Sequence, residues 1–227
     1  MFDKQNWHEL LKQAKTGDAV AQWQVGNLYS NGYIDSTQEV IVKQNSRLAV
    51  EWYEKAAEQE NVDGMSSLAY HLDTGSGCNS DTEKAIRLYK MAIGKGSSVA
   101  ASNLGTVYRD KGNYKKAFEY YDLSMRLEKS DYSFTVGLCY YCGVGVAQDK
   151  ATAVRHFQKV CTDKLVLHTQ YEQDLAHYYL GLSYLTGEGL KKSLKLASRH
   201  FEIANADNDN ECALALLHLI GRNRIEK

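Results

Sequence analysis

Small and apolar residues recur along this chain at spacings of three and four, in blocks separated by polar, glycine-bearing turns. That spacing puts each block on one face of a helix. The blocks predict helices near 6–15, 19–31, 45–60, 63–74, 80–94, 98–110, 114–127, 131–142, 149–161, 171–186, 193–206 and 209–220. Two signatures alternate within them. The first reads Gly26-x-x-Tyr29-x-x-Gly32, Ala69-x-x-Leu72-x-x-Gly75, Gly105-x-x-Tyr108-x-x-x-Gly112, Gly137-x-x-Tyr140-x-x-Gly143, Gly181-x-x-Tyr184-x-x-Gly187 and Ala215-x-x-His218-x-x-Gly221. The second follows each of the first five: Ala49, Trp52, Tyr53, Ala56; Ala85, Leu88, Tyr89, Ala92; Ala117, Tyr120, Tyr121, Ser124; Ala153, His156, Phe157, Val160; and Ala197, His200, Phe201, Ala204.

A helix A carrying the first signature and a helix B carrying the second form a repeated hairpin. Repeated hairpins bury their apolar faces only against one another, so they predict a solenoid. Glycine inside a helix costs about 1 kcal/mol relative to alanine. Its recurrence at the A position therefore predicts close approach by helix B, with the tyrosine three residues later covering the gap. The glycines at 32, 75, 112, 143, 187 and 221 suit the left-handed residue that ends a helix. The first helix puts Trp7, Leu10, Leu11 and Ala14 on one side and is expected to cap the array. Steps between A positions run from 32 to 36 residues, except for steps of 43 and 44 that mark insertions at Tyr33–Ser46 and Thr162–Gln170.

The run Leu180-Gly181-x-x-Tyr184-x-x-Gly187-x-Gly189, with Ala197 and Phe201 downstream, resembles the Sel1-like repeat family, relatives of the tetratricopeptide repeats. So does Gly137-x-x-Tyr140-x-x-Gly143-Val144-Gly145-Val146 with Asp149, Ala153 and Phe157, and so does the helix-B run from Ala49 through Trp52 and Tyr53 to Ala57. The resemblance covers about residues 18–221. The third repeat departs from it, because its short Asp110–Lys115 connection is similar to a plain tetratricopeptide repeat. The second lacks both the tyrosine and the A-helix glycine. The resemblance implies an all-α, right-handed α/α superhelical solenoid forming a single domain over residues 1–227. It would have capping helices at about 5–16 and 209–221 around repeats at about 18–62, 63–97, 98–129, 130–170 and 171–207. It also implies a non-catalytic protein-binding role, as an adaptor or scaffold or as a bacterial immunity protein neutralising a secreted toxin.

Charge narrows the partner. A formal net charge of −1 gives no global attraction to nucleic acid or anionic membrane. No apolar run is long enough to span a bilayer, and the amphipathic start is expected to be a mature cytoplasmic N-terminus. The A-helix positions expected to face inward include Trp23, Asn27, Asp63, Tyr70, Asp73, Arg109, Asp110, Asp131, Tyr141 and Tyr178. Aromatic anchors among carboxylates suit a protein that brings arginine or lysine. For each ring the competing reading is inter-repeat core, and for each carboxylate a solvated cap. The apolar C-terminal positions are expected to pack under a cap or against another subunit.

The five cysteines are odd in number and irregularly spaced, and Cys139, Cys142 and Cys212 fall on core-rich helices. Free, buried thiols are therefore expected. Cys139-x-x-Cys142, with His156 and Cys161 beyond, lies within one helix rather than across a turn, so no zinc is expected. His8, His71, His168, His177 and His218 are scattered, and no nucleophile elbow, phosphate loop or dinucleotide fingerprint occurs. No cofactor and no catalysis are expected. An enzyme or regulatory subunit with a cryptic site would need a pocket built from histidine and carboxylate.

Overall fold

The computed structural model describes residues 3–127, 132–162, 169–207 and 209–225, with side chains as far as 221. The helices are α1 (Lys4–Lys15), α2 (Ala19–Asn31), α3 (Ser46–Glu58), α4 (Val62–Thr74), α5 (Thr82–Gly94), α6 (Ser98–Asp110), α7 (Tyr114–Leu127), α8 (Ser133–Cys142), α9 (Lys150–Thr162), α10 (Gln170–Thr186), α11 (Leu194–Ala204) and α12 (Glu211–Ile225). The predicted all-α hairpin repeat is what forms. Polar caps set many of the starts: the side chains of Asp18, Asn45, Asn61, Asp81, Thr169 and Ser193 each accept from a backbone N–H in the first turn. Contacts divide the chain into two compact units, unit 1 ending at Val107 and unit 2 beginning at Tyr108.

Small residues explain the hairpins. A Cβ built on Gly26 would lie 2.5 Å from Cε1 of Tyr53, and one on Gly181 would lie 2.5 Å from Cε1 of Phe201. Each A glycine thus clears a seat for the second aromatic of helix B, as its spacing predicts. The A tyrosine stacks on the first aromatic slot of the B helix: Tyr108 on Tyr120 at 5.4 Å, Tyr140 on His156 at 5.9 Å and Tyr184 on His200 at 5.4 Å. A second glycine contact sets the spacing between hairpins in unit 2. Gly189 has φ +80°, and a Cβ there would lie 2.5 Å from the Lys150 carbonyl oxygen. Only glycine allows that backbone approach.

Each unit has its own core. In unit 1, Ala14, Ala21 and Val25 pack with Trp7, Leu10, Leu11, Tyr29 and Trp52, so α1 caps the first hairpin as expected. In unit 2, Phe134, Phe157 and Leu180 centre one cluster and Phe201 with Ala213 and Ile220 another.

Three expectations change. Gly221 does not end a helix, because α12 runs through it to Ile225. Gly32 has φ +72° but ψ 166°, which hands the chain into an extended segment rather than a left-handed cap. That segment is β1 (Tyr33–Ile34), paired antiparallel with β2 (Val40–Val42), so the first insertion is a small hairpin. Asp35 fastens its turn by accepting from the Thr37 and Glu39 backbone N–H groups and the Thr37 hydroxyl, which hold its carboxyl below the usual range. Residues 163–168 of the second insertion, with His168, lie outside the described residues.

The thiols are free but not uniformly buried. Cys142 and Cys212 are exposed, whereas Cys78, Cys139 and Cys161 are half-buried. They sit at or beyond the edge of the apolar stripe, where a small side chain reaches solvent. Burial pushes the Cys139 and Cys161 thiols up to about 11. Only the thiolate alkylates. Native-state labelling with iodoacetamide at neutral pH, followed by peptide mass spectrometry, should modify Cys142 and Cys212 at least about tenfold faster than Cys139 and Cys161. Equal rates would contradict the burial described.

Candidate functional site: a partner-binding groove

Three A helices of unit 1 build one groove. The i, i+4 and i+7 positions of α2 present Trp23, Asn27 and Ser30–Asn31, α4 presents Asp63, Ser66, Ser67, Tyr70 and His71, and α6 presents Val99 and Asn103. Tyr53 reaches the same space from α3. The groove is open, with a volume of about 340 Å³.

Its floor is held by internal hydrogen bonds. The Tyr53 hydroxyl donates to Asn27 Oδ1 at 2.8 Å, and the Trp23 indole N–H donates to Ser67 Oγ at 3.2 Å. His71 Nδ1 lies 2.7 Å from the Ser76 carbonyl, which can only accept, so Nδ1 carries the hydrogen. Nε2 is then the acceptor, and the Ser30 hydroxyl donates to it at 3.3 Å. Burial pushes the Tyr53 hydroxyl up, keeping it a neutral donor at physiological pH.

The rim differs. Tyr70 is 50% exposed and Val99 57%, and Asp63 is exposed between them in sequence. Asp63 is the one carboxylate lining the groove, and neither lysine nor arginine lines it among the described residues. Fixed polar groups below, apolar area and a negative charge above, are what a protein segment with a cationic side chain would meet.

The structure thus brings Trp23, Asn27, Asp63 and Tyr70 together. Asp73 is half-buried beside Tyr89, whose hydroxyl is pushed up by burial first and by the Asp73 charge second. In unit 2 the expected residues take other partners. Arg109 and Asp110 pair with each other at 2.9 Å. Tyr141 meets Tyr179 edge-on at 4.9 Å, with the Lys150 ammonium 3.2 Å from its ring centroid. Tyr178 lies 5.9 Å from the ring of buried Phe201. Asp131 lies outside the described residues. Offset counting along helix A passes over four lining residues, Tyr53, Ser67, His71 and Asn103. Tyr53 belongs to the B signature, and the other three stand two residues before or after the small position.

A known repeat model matches the chain five times, over residues 19–61, 62–97, 98–126, 134–162 and 174–209, and that model is the Sel1 repeat. The chain belongs to the Sel1 repeat family. The matched segments follow the A–B hairpins seen in the structure, including the departing third repeat. Sel1 repeat proteins are protein-interaction modules, and the family is generally a non-catalytic scaffold. An uncharacterized Sel1-like repeat-containing protein of Schizosaccharomyces pombe is 27% identical over 112 residues, which is 48% of this chain and 16% of the yeast protein. The aligned part of this Sel1 repeat protein thus spans about a sixth of that curated relative.

Among solved structures, a Sel1 repeat protein from Oxalobacter formigenes aligns over 94% of this chain and 80% of its own, with TM-score 0.69 and 23% identity. The protein c5321, a protective antigen present in uropathogenic Escherichia coli strains, aligns over 97% of this chain and 45% of its own, with TM-score 0.73 and 25% identity. Among the described residues no helix is long and apolar enough to cross a membrane, and no three His, Cys, Asp or Glu side chains are grouped to hold a metal ion.

Proposed function

We propose that this Sel1 repeat protein captures a partner protein in the unit 1 groove, the partner entering with a lysine or arginine that faces Asp63. The observation that carries the reading is the groove rim, where half-exposed Tyr70 and Val99 flank a carboxylate that has no cation beside it. Trp23 and Asn27 shape the floor, and Asp73 adds negative charge near Tyr89. Rigid polar groups already paired within the protein lose little entropy when a partner docks, so apolar contact at Tyr70 translates into affinity. The adaptor and immunity roles share this capture step. They differ in whether the captured protein keeps its activity.

The test is kinetic. A partner retained by the full chain is identified by mass spectrometry, and its association is timed against the wild type and Asp63→Lys. Reversal of the charge should slow association by about tenfold at low salt, with the difference shrinking as salt screens it. Unchanged rates at both ionic strengths would move the docking site away from this groove. Assaying the partner's own activity with and without the bound chain separates scaffold from inhibitor.

A further inference from the structure

In two hairpins of unit 2 the A-helix tyrosine stacks on an imidazole instead of a tyrosine ring. Tyr140 lies on His156 with planes 14° apart, and Tyr184 lies on His200 with planes 18° apart, whereas Tyr108 lies on Tyr120. Only the α10–α11 hairpin adds a second imidazole to the stack. Nδ1 of His177, on α10, lies 2.8 Å from Nδ1 of His200, on α11, and the ring centroids are 5.1 Å apart. One hydrogen fits between two nitrogens at that distance, so one ring donates and the other must accept. A doubly protonated pair has no acceptor and sets two like charges together in a half-buried seam. Even a single added charge loses water there.

The groups around the pair do not offset this evenly. Asp174, one turn before His177 on α10, favours its protonation. Arg199, beside His200 on α11, opposes protonation, and the facing ring of Tyr184 is neutral. Among the described residues, no titratable group on α9 or α12 acts on either ring. The residues that α11 buries are Ala197, Ser198, Phe201 and Ala204, so the hydrogen-bonded pair sits at the seam that keeps Phe201 seated under Gly181.

We propose that the His177–His200 contact is an acid-sensitive latch, holding α11 against α10 at neutral pH and letting the hairpin open in mildly acidic surroundings. Burial, then His177, holds His200 down to about 4, and burial lowers His177. An unfolded imidazole titrates near about 6.5. Acidification therefore protonates the open hairpin before the closed one. The stability contributed by the neutral pair is full above about pH 6.5, declines as pH falls toward the folded value, and changes no further below it. The pair is unique to this hairpin among the described residues, so the response is local. Its consequence is exposure of Phe201 and of the α11 surface on which α12 packs.

Hydrogen exchange of the full chain, read by mass spectrometry and corrected for the intrinsic pH dependence of exchange, tests this. Between pH 7.5 and 4.5, protection of α10 and α11 amides should fall by at least about tenfold, while the α6–α7 hairpin, with Tyr120 in the slot, keeps its protection. The double variant His177→Leu, His200→Phe should lose that acid response. Because this variant could fold poorly, a titration of the wild-type histidines by NMR is decisive alone. One of the two rings should titrate at least one pH unit below a free imidazole. Ordinary titration of both rings, an equal loss of protection in every hairpin, or an unchanged acid response in a folded double variant would each overturn the latch.

Discussion

Valine at Gly181 should destabilise unit 2 by about 3 kcal/mol, read as a lower urea midpoint of the helical circular dichroism signal. The magnitude follows from where the new atoms go. A Cβ at Gly181 alone would lie 2.5 Å from Cε1, 2.7 Å from Cδ1 and 3.0 Å from Cζ of Phe201. Phe201 is fully buried, as are Ala197, Ala204 and Ala213 around it, so the ring has no vacant side to retreat into. Valine adds two methyl groups to that conflict, and relief requires α10 and α11 to separate. Interiors packed like crystals resist such shifts. The helix interior would otherwise favour replacing glycine, so propensity and packing act in opposite directions here, and packing has the larger magnitude. Gly221 supplies the control. It lies within α12, and a Cβ there meets nothing within 4 Å. Gly221→Ala should therefore stabilise α12 by up to about 1 kcal/mol. If Gly181→Val leaves the midpoint unchanged, the close A–B contact is not what these glycines provide.

The same contact explains why so much of the fold was legible. Spacing of three and four is a local signal, and a glycine in mid-helix is unfavourable unless something approaches it. Gly26 and Gly181 thus announce their partners Tyr53 and Phe201 from sequence alone. Helix ends were less legible where a glycine carries two meanings. Gly187 has φ +84° and ψ 14° and ends α10, whereas Gly221 follows the same offset inside a helix that continues. Nothing local distinguishes them, because continuation depends on what α12 packs against. The strands of the first insertion are two and three residues long, too short for alternation to register.

The candidate site was half legible for a related reason. Counting along helix A finds the residues on its inward face, and Trp23, Asn27, Asp63 and Tyr70 do share a groove. Counting does not reveal whether a neighbouring helix covers that face. Tyr70 and Tyr141 hold comparable places after and around their small residues, yet Tyr70 faces solvent and Tyr141 meets Tyr179. The difference comes from α10, which supplies an aromatic at that level, whereas α6 supplies Val99 and Asn103 to the groove. Tertiary neighbours decide between anchor and core, and a single sequence carries them only indirectly.

That difference makes opposite forecasts for two chemically identical substitutions. Tyr70→Ala removes a ring that is 50% exposed and touches His71 edge-on at 5.8 Å. The folded chain loses little buried area, so the melting temperature should stay nearly unchanged, while a docked partner loses its apolar anchor. Anchors of this kind cost about 2 kcal/mol or more on truncation, which is about a thirtyfold loss of affinity. Tyr141→Ala removes a ring packed against Tyr179 at 4.9 Å and Phe157 at 6.0 Å, with Lys150 over its face. It leaves a gap between α8, α9 and α10 and should cost about 2 kcal/mol of stability. Affinity for a groove-bound partner should hold wherever the Tyr141→Ala chain is folded, because Tyr141 does not line the groove. Calorimetric melting and binding titration on the same two variants give four numbers. Lost affinity with retained stability at Tyr70, and the reverse at Tyr141, is the pattern expected of a unit 1 docking site. The opposite pattern would place the partner on unit 2 and make Tyr70 an incidental surface ring.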